Sequence, residues 1–168
     1  MIGSCNNLIF TGRTEMLTSG QLATLKAVAA ADQTAATYMA NGMDVELAAW
    51  FNTASSFVVW RSFLSPDQFR AALINGAIQL DNLTAGKRDT LFFLAQGSLV
   101  VSSPAVRTAL DDLMGTQATL KAAVLAAEKR NATRAEQALA SGTGSDANPG
   151  TLGWEGQISQ AEASWIRG

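Results

Sequence analysis

Few residues in this sequence have the types and spacing that chemistry needs. There is no histidine, and the one cysteine is Cys5. That closes imidazole acid–base catalysis, the Ser-His-Asp and Cys-His nucleophile pairs, and haem ligation through histidine. An ordinary zinc site cannot be assembled either, and Cys5 has no partner for an intrachain disulfide. Only three groupings of carboxylates stand out: Asp111-Asp112, Asp44 with Glu46, and Glu155 with Glu162. Adjacent carboxylates on a helix point in different directions, so they read as solvated faces rather than acid–base pairs. Gly142-Thr143-Gly144 begins like a dinucleotide loop, but position 147 is Ala and no strand precedes it. Gly86-Lys87 ends like a phosphate loop, yet the earlier glycine it requires is Asp81. Asp146 and Asn148 carry oxygens suited to calcium, but the acid at the twelfth position of an EF-hand loop is missing. Asn131-Ala132-Thr133 matches a glycosylation acceptor, which has meaning only in a secreted chain. The expectation is therefore no catalytic residue, no cofactor and no metal: not an enzyme.

What remains is chemistry of contact. Lys129-Arg130 with Arg134 makes one basic patch, either helix-end charges with ion-pair partners or a contact to phosphate or carboxylate groups. The aromatics Trp50, Phe51, Phe57, Trp60, Phe63 and Phe69 read mostly as core. Trp154 and Trp165, set in a glycine-rich stretch, read as interface anchors.

The elements that must position these residues are helical. Thr18 and Gln21 form a capping box with Leu17 and Leu22 at the staple positions, and Leu22, Leu25, Val28 and Ala29 follow at helical steps. Asp32 restarts a helix that Asn41-Gly42 stops, and Asp44 can cap the next, through Phe51. Phe57-Val58-Val59-Trp60 suits a short strand or another helix start. Ser65-Pro66-Asp67-Gln68 is a Ser cap, a first-turn Pro and a Gln at the third position. Thr84 and Ser103-Pro104 open further helices, ended near Gly97 and Gly115. Thr116 opens one that ends on Glu128-Lys129-Arg130, where cations suit the helix dipole. Thr133 and Glu136 form another box. The fold class expected is an all-α bundle of six to eight short helices over residues 16–140, with residues 1–15 as an N-terminal extension.

Residues 141–168 change character. Gly142 to Gly150 is turn-rich, Thr151 to Ile158 alternates as a short β element would, and Ser159 with Glu162 caps a last helix. Six glycines make ordering this stretch costly, at roughly 1–2 kcal/mol per residue. It is therefore expected to be an extended docking arm, mobile in the free subunit and anchored on a partner by Trp154. The candidate interface is Arg130, Arg134, Gly142, Gly144, Leu152, Trp154, Glu155, Ile158 and Trp165.

Composition fits either a compact helical monomer with a Ser/Thr/Gln/Asn surface or a subunit whose surface is largely covered by neighbours. Thirty of 168 residues are alanine, only 15% are charged, and the formal net charge is -2. Alanine favours helices that approach closely, and a near-neutral chain lacks the basic excess of a nucleic-acid binder. No segment reads as a signal peptide or a membrane span.

The runs Lys129-Arg130-Asn131-Ala132-Thr133-Arg134-Ala135-Glu136, Ser141-Gly142-Thr143-Gly144-Ser145-Asp146 and Thr151-Leu152-Gly153-Trp154-Glu155-Gly156 resemble the C-terminal part of a group of small tailed-bacteriophage proteins. Met16 to Ala27 and Phe57-Val58-Val59-Trp60-Arg61-Ser62 look like the same group, so the resemblance covers roughly residues 16–160. By size and helical character that group is similar to head–tail adaptor (connector) proteins that ring the portal. The resemblance implies a structural subunit of the virion neck, assembled in the host cytoplasm. Its partners would be the portal protein, tail and neck proteins, and identical subunits in a dodecameric ring. DNA would meet it only in passing through the channel, and no membrane is involved. The alternative is a soluble assembly factor or an accessory virion-binding protein.

Overall fold

The computed structural model describes residues 16–168; the N-terminal extension expected over 1–15 lies outside the described residues. In chain order the elements are α1 (Ser19–Ala31), α2 (Gln33–Ala40), α3 (Asp44–Asn52), β1 (Ala54–Trp60), α4 (Pro66–Asn75) and α5 (Ala77–Leu80). There follow α6 (Ala85–Leu94), α7 (Pro104–Met114), α8 (Ala118–Ala127), β2 (Lys129–Thr133), α9 (Arg134–Leu139) and α10 (Gln160–Arg167). Helix dominates. Reciprocal capping boxes start α1 (Thr18 with Gln21), α4 (Ser65 with Gln68), α9 (Thr133 with Glu136) and α10 (Ser159 with Glu162). Each satisfies two backbone N–H groups that a helix start leaves without partners.

These elements do not form one bundle over 16–140. They divide into two compact units, one from the described part of Met1–Asn52 with Trp154–Gly168, the other Thr53–Gly153. In the first, α10 packs against α3 and α1. Leu25, Ala29, Ala35, Leu47, Phe51, Ala163 and Ile166 are fully buried there. The Asn52 side chain clamps the approach to α10, donating to Ile158 O at 2.9 Å and accepting the Ile158 N–H at 2.8 Å. Asp44 lies inside α3 rather than before it, and accepts from Arg167 Nε at 2.8 Å and Nη2 at 3.2 Å. That bond holds the Asp44 carboxyl below its ordinary value.

The second unit has a core drawn from α4 and α6 to α8, with Leu64, Phe69, Leu91, Val101, Leu110, Leu120 and Val124 at its centre. Phe57 to Trp60 is strand, and its partner is a surprise. Lys129 and Arg130, expected to finish a helix, instead open β2, which runs antiparallel to β1 and pairs Trp60 with Lys129, Val59 with Arg130 and Val58 with Asn131. α8 ends at Ala127 with Glu128 as its cap, still helical in backbone conformation, and the backbone groups of 129–133 then bond across to β1 rather than along a helix axis. The β character expected near 151–158 is reduced to single bridges at Ser141 with Thr151 and Val59 with Gly150.

The docking arm is likewise corrected. Residues 141–153 close on β1, where Val58 N–H donates to Gly144 O at 2.7 Å and Gly150 N–H donates to Val58 O at 2.8 Å. Phe57 lies between the two glycines: a Cβ at Gly144 would fall 2.1 Å from its ring, and one at Gly150 2.4 Å. Residues 154–168 complete the first unit. The ordering cost is offset inside the chain, by burial of Trp154, Ile158, Ala163 and Ile166.

Candidate functional site

The residues expected to form one interface are dispersed. Trp154 is 5% exposed and Ile158 is buried, so neither ring nor side chain is presented to a partner. Gly142 and Gly144 hold positive φ, +100° and +64°; Gly144 lies against the Phe57 ring and Gly142 against the Gly150 backbone. Leu152 is half-buried and Glu155 exposed. Trp165, at 54% exposure, is the one large apolar side chain of the set that faces outward. Arg134 begins α9, half-buried, its backbone N–H bonded to Thr53 O at 3.0 Å.

Arg130 serves its own chain. Its Nη1 and Nη2 donate to the two carboxylate oxygens of Glu136 at 2.6 and 2.8 Å, a fork-to-fork pair. Glu136, only 2% exposed, also accepts the Thr133 N–H at 2.9 Å. The capping box legible in the sequence is thus the seat of a buried ion pair, and the expected contact of Arg130 with a partner's carboxylate is replaced by this internal one.

Two surface features of the Thr53–Gly153 unit went unread in the sequence. The first is an apolar concavity of about 380 Å³ between α4, α5 and α6, lined by Arg70, Leu73, Ile74, Ala77, Leu80 and Phe92. Ile74 is 71% exposed and Phe92 48%. The cations nearby are paired, Arg70 with Asp67 at 3.8 Å and Arg88 with Asp81 at 3.5 Å.

The second is a cleft of about 310 Å³ lined by Trp60, Arg107, Thr108, Asp111, Met114, Lys121, Leu125 and Glu128. Steps of one, three and three along α7 put Arg107, Thr108, Asp111 and Met114 on one face. Steps of four and three do the same for Lys121, Leu125 and Glu128 on α8 and its cap. Trp60, the last residue of β1, carries the Arg107 guanidinium 4.0 Å from its ring centroid, with Lys129 Nζ at 5.9 Å. Arg107 Nη1 also donates to Val101 O at 2.6 Å and Ser102 O at 2.9 Å, which fixes the fork. Lys121 Nζ bonds Asp111 Oδ2 at 2.8 Å, and Lys129 Nζ bonds Asp146 Oδ1 at 3.2 Å.

Glu128 is 3% exposed and caps the C-terminus of α8, an end where the helix dipole disfavours an anion. Burial pushes its carboxyl up to about 7, against the pull of Arg107 and Lys129 and with a push from Asp111. The same burial lowers Arg107, which Glu128 partly opposes. A carboxyl poised near neutrality both donates and accepts hydrogen bonds. Glu128 stood in the sequence beside Lys129-Arg130 as one more helix-end charge. The spacings on α7 and α8 were visible, but nothing in them says that the two faces meet.

No family model, no curated protein and no solved structure matches the chain. Among the described residues no helix is long and apolar enough to cross a membrane, and no group of three or more His, Cys, Asp or Glu could hold a metal ion.

Proposed function

We propose that this chain is a structural subunit of a tailed-bacteriophage particle, a head–tail adaptor that forms a homo-oligomeric ring on the portal at the virion neck. The observation that carries the reading is the apolar concavity of α4 to α6, in which Ile74 and Phe92 stand open to solvent. Apolar groups this size cost free energy in water, and an exposed cluster of them is the mark of a covered surface. The one charged residue in its lining, Arg70, is paired with Asp67 within the chain, so the occupant it suits is itself apolar and uncharged. An identical subunit, with its own protruding Phe63 and Phe93, has that character. The low charge and the phage resemblance of residues 16–160 point the same way.

The test is quantitative mass spectrometry and electron cryomicroscopy of purified particles. The expected result is about a dozen copies per particle, ringed at the neck with α4 and α6 facing a neighbour. Density for the chain elsewhere on the particle overturns the adaptor role. Absence from particles, with the protein abundant in infected cells, replaces it with the assembly-factor reading.

A further inference from the structure

We propose that the cleft between α7, α8 and Trp60 binds a small apolar carboxylate, whose oxygens take hydrogen bonds from the Arg107 guanidinium and from the carboxyl of Glu128 in its protonated form. This inference does not depend on the assembly reading.

Charge selects the ligand's sign. The charged groups around Glu128 are Arg107 and Asp111 on α7, Lys121 on α8, Lys129 on β2, and Arg61 just after β1, whose Nε is held on the backbone by Ala127 O at 3.0 Å and Lys129 O at 3.1 Å. Lys121 and Asp111 cancel each other at 2.8 Å, and Lys129 is matched by Asp146 at 3.2 Å. Arg107 and Glu128 are left facing the space. With Glu128 protonated the cleft holds one unbalanced positive charge, so an anion is favoured and a cation is repelled. Arg107 has spent Nη1 on two backbone carbonyls, but a guanidinium has five N–H donors, and Nε and Nη2 supply the rest.

Shape and lining select the remainder of the ligand. Trp60, Met114 and Leu125 give the cleft an apolar wall, and about 310 Å³ lies at the small end of the range for ligand pockets. A carboxylate on a compact aromatic or aliphatic stem fits both. Because the ligand binds the protonated form of Glu128, its binding draws a proton from solvent. The burial that holds that carboxyl near 7 makes the uptake visible at neutral pH.

The probe is benzoate, which stays ionised from pH 6 to pH 8, with benzylammonium as its cationic counterpart. Binding is followed by isothermal titration calorimetry in two buffers of different ionisation enthalpy. Benzoate is expected to bind about tenfold more tightly at pH 6 than at pH 8, following the protonated fraction of Glu128. Near pH 7 about half a proton should be taken up per ligand bound. Glu128→Gln keeps a neutral donor in place, so binding persists while the pH dependence flattens and the uptake disappears. Arg107→Met keeps an apolar stem over Trp60 and weakens benzoate at least about tenfold. If Arg107→Met does not fold, the Glu128→Gln comparison decides alone. Benzoate affinity that is undetectable, or flat across this pH range in the unmodified protein, overturns the proposal. So does tighter binding of benzylammonium, or an unchanged pH dependence in Glu128→Gln.

Discussion

The corner where β2 meets α9 and the end of α8 each bury a glutamate in the Thr53–Gly153 unit, Glu136 at 2% exposure and Glu128 at 3%. Around Glu136 donors converge on the carboxylate, among them two from Arg130 and one from the Thr133 backbone. Around Glu128 the charge is opposed rather than satisfied. Its cations act across space while Lys121 and Lys129 bond to other carboxylates, and burial dominates. The pair shows that depth of burial does not decide what a buried acid does. The donors within hydrogen-bond reach decide it, separating a structural carboxylate from one available to a ligand.

Substitution by glutamine, which keeps shape and removes charge, should give the two positions opposite signs. Glu136→Gln breaks a buried forked ion pair while leaving a side chain that can still close the capping box, as Gln21 and Gln68 do, and should destabilise the protein by about 3 kcal/mol at pH 7, read from urea denaturation. A loss under about 1 kcal/mol would erase the contrast.

Glu128→Gln should do the reverse. Below pH 4.5 the carboxyl is protonated in both folded and unfolded chains, and the substitution should change nothing. Between 4.5 and about 7 the unfolded chain is ionised and the folded one is not, so stability of the unmodified protein falls as pH rises. Above about 7 the loss is complete, and Glu128→Gln should be the more stable by at most about 3 kcal/mol at pH 8, at ~1.4 kcal/mol per pH unit. Melting curves at pH 4 and pH 8 check both limits, and equal effects at the two would remove Glu128 from its proposed role.

Gly144→Ala gives the smallest effect and sharpens the other two, because it is pure packing. Its Cβ would meet the Phe57 ring at 2.1 Å in a backbone conformation with φ +64°. A loss of about 2 kcal/mol is expected, the same at pH 5 and pH 8. A pH-dependent loss would mean that closure of 141–150 on β1 is coupled to the titration of Glu128.

The parts of the fold that were legible in the sequence are those written locally. Thr18 with Gln21, Ser65 with Gln68, Thr133 with Glu136 and Ser159 with Glu162 announce helix starts within four residues, and all four boxes form. β2 was not legible, because Lys129-Arg130-Asn131-Ala132-Thr133 has no alternation of its own and is a strand only because Val58 to Trp60 pairs with it. Trp154 was misassigned for a related reason: a glycine-rich surrounding hides that its partners lie in the same chain. The ligand cleft is the least legible feature of all. Trp60, Arg107 and Glu128 come from three elements separated by long stretches of chain, and each alone reads as core or surface charge.

The division of the chain has a consequence for its biogenesis. Thr53–Gly153 is an insertion within a unit whose two pieces flank it in sequence. Left flexible, a loop of 101 residues (53 through 153) would cost about 4 kcal/mol to close, beyond a constant. The insertion supplies its own remedy. Thr53 O accepts the N–H at the start of α9, and Gly153 is pressed against the carbonyl of Leu139 at the other end of that helix. Its entry and exit therefore lie about one short helix apart, roughly 9 Å. With Thr53–Gly153 folded, residues 16–52 and 154–168 meet across a gap of about one short helix rather than across a flexible loop. The host unit is then finished by a short intramolecular step, the same geometry that lets one domain be spliced into another without penalty.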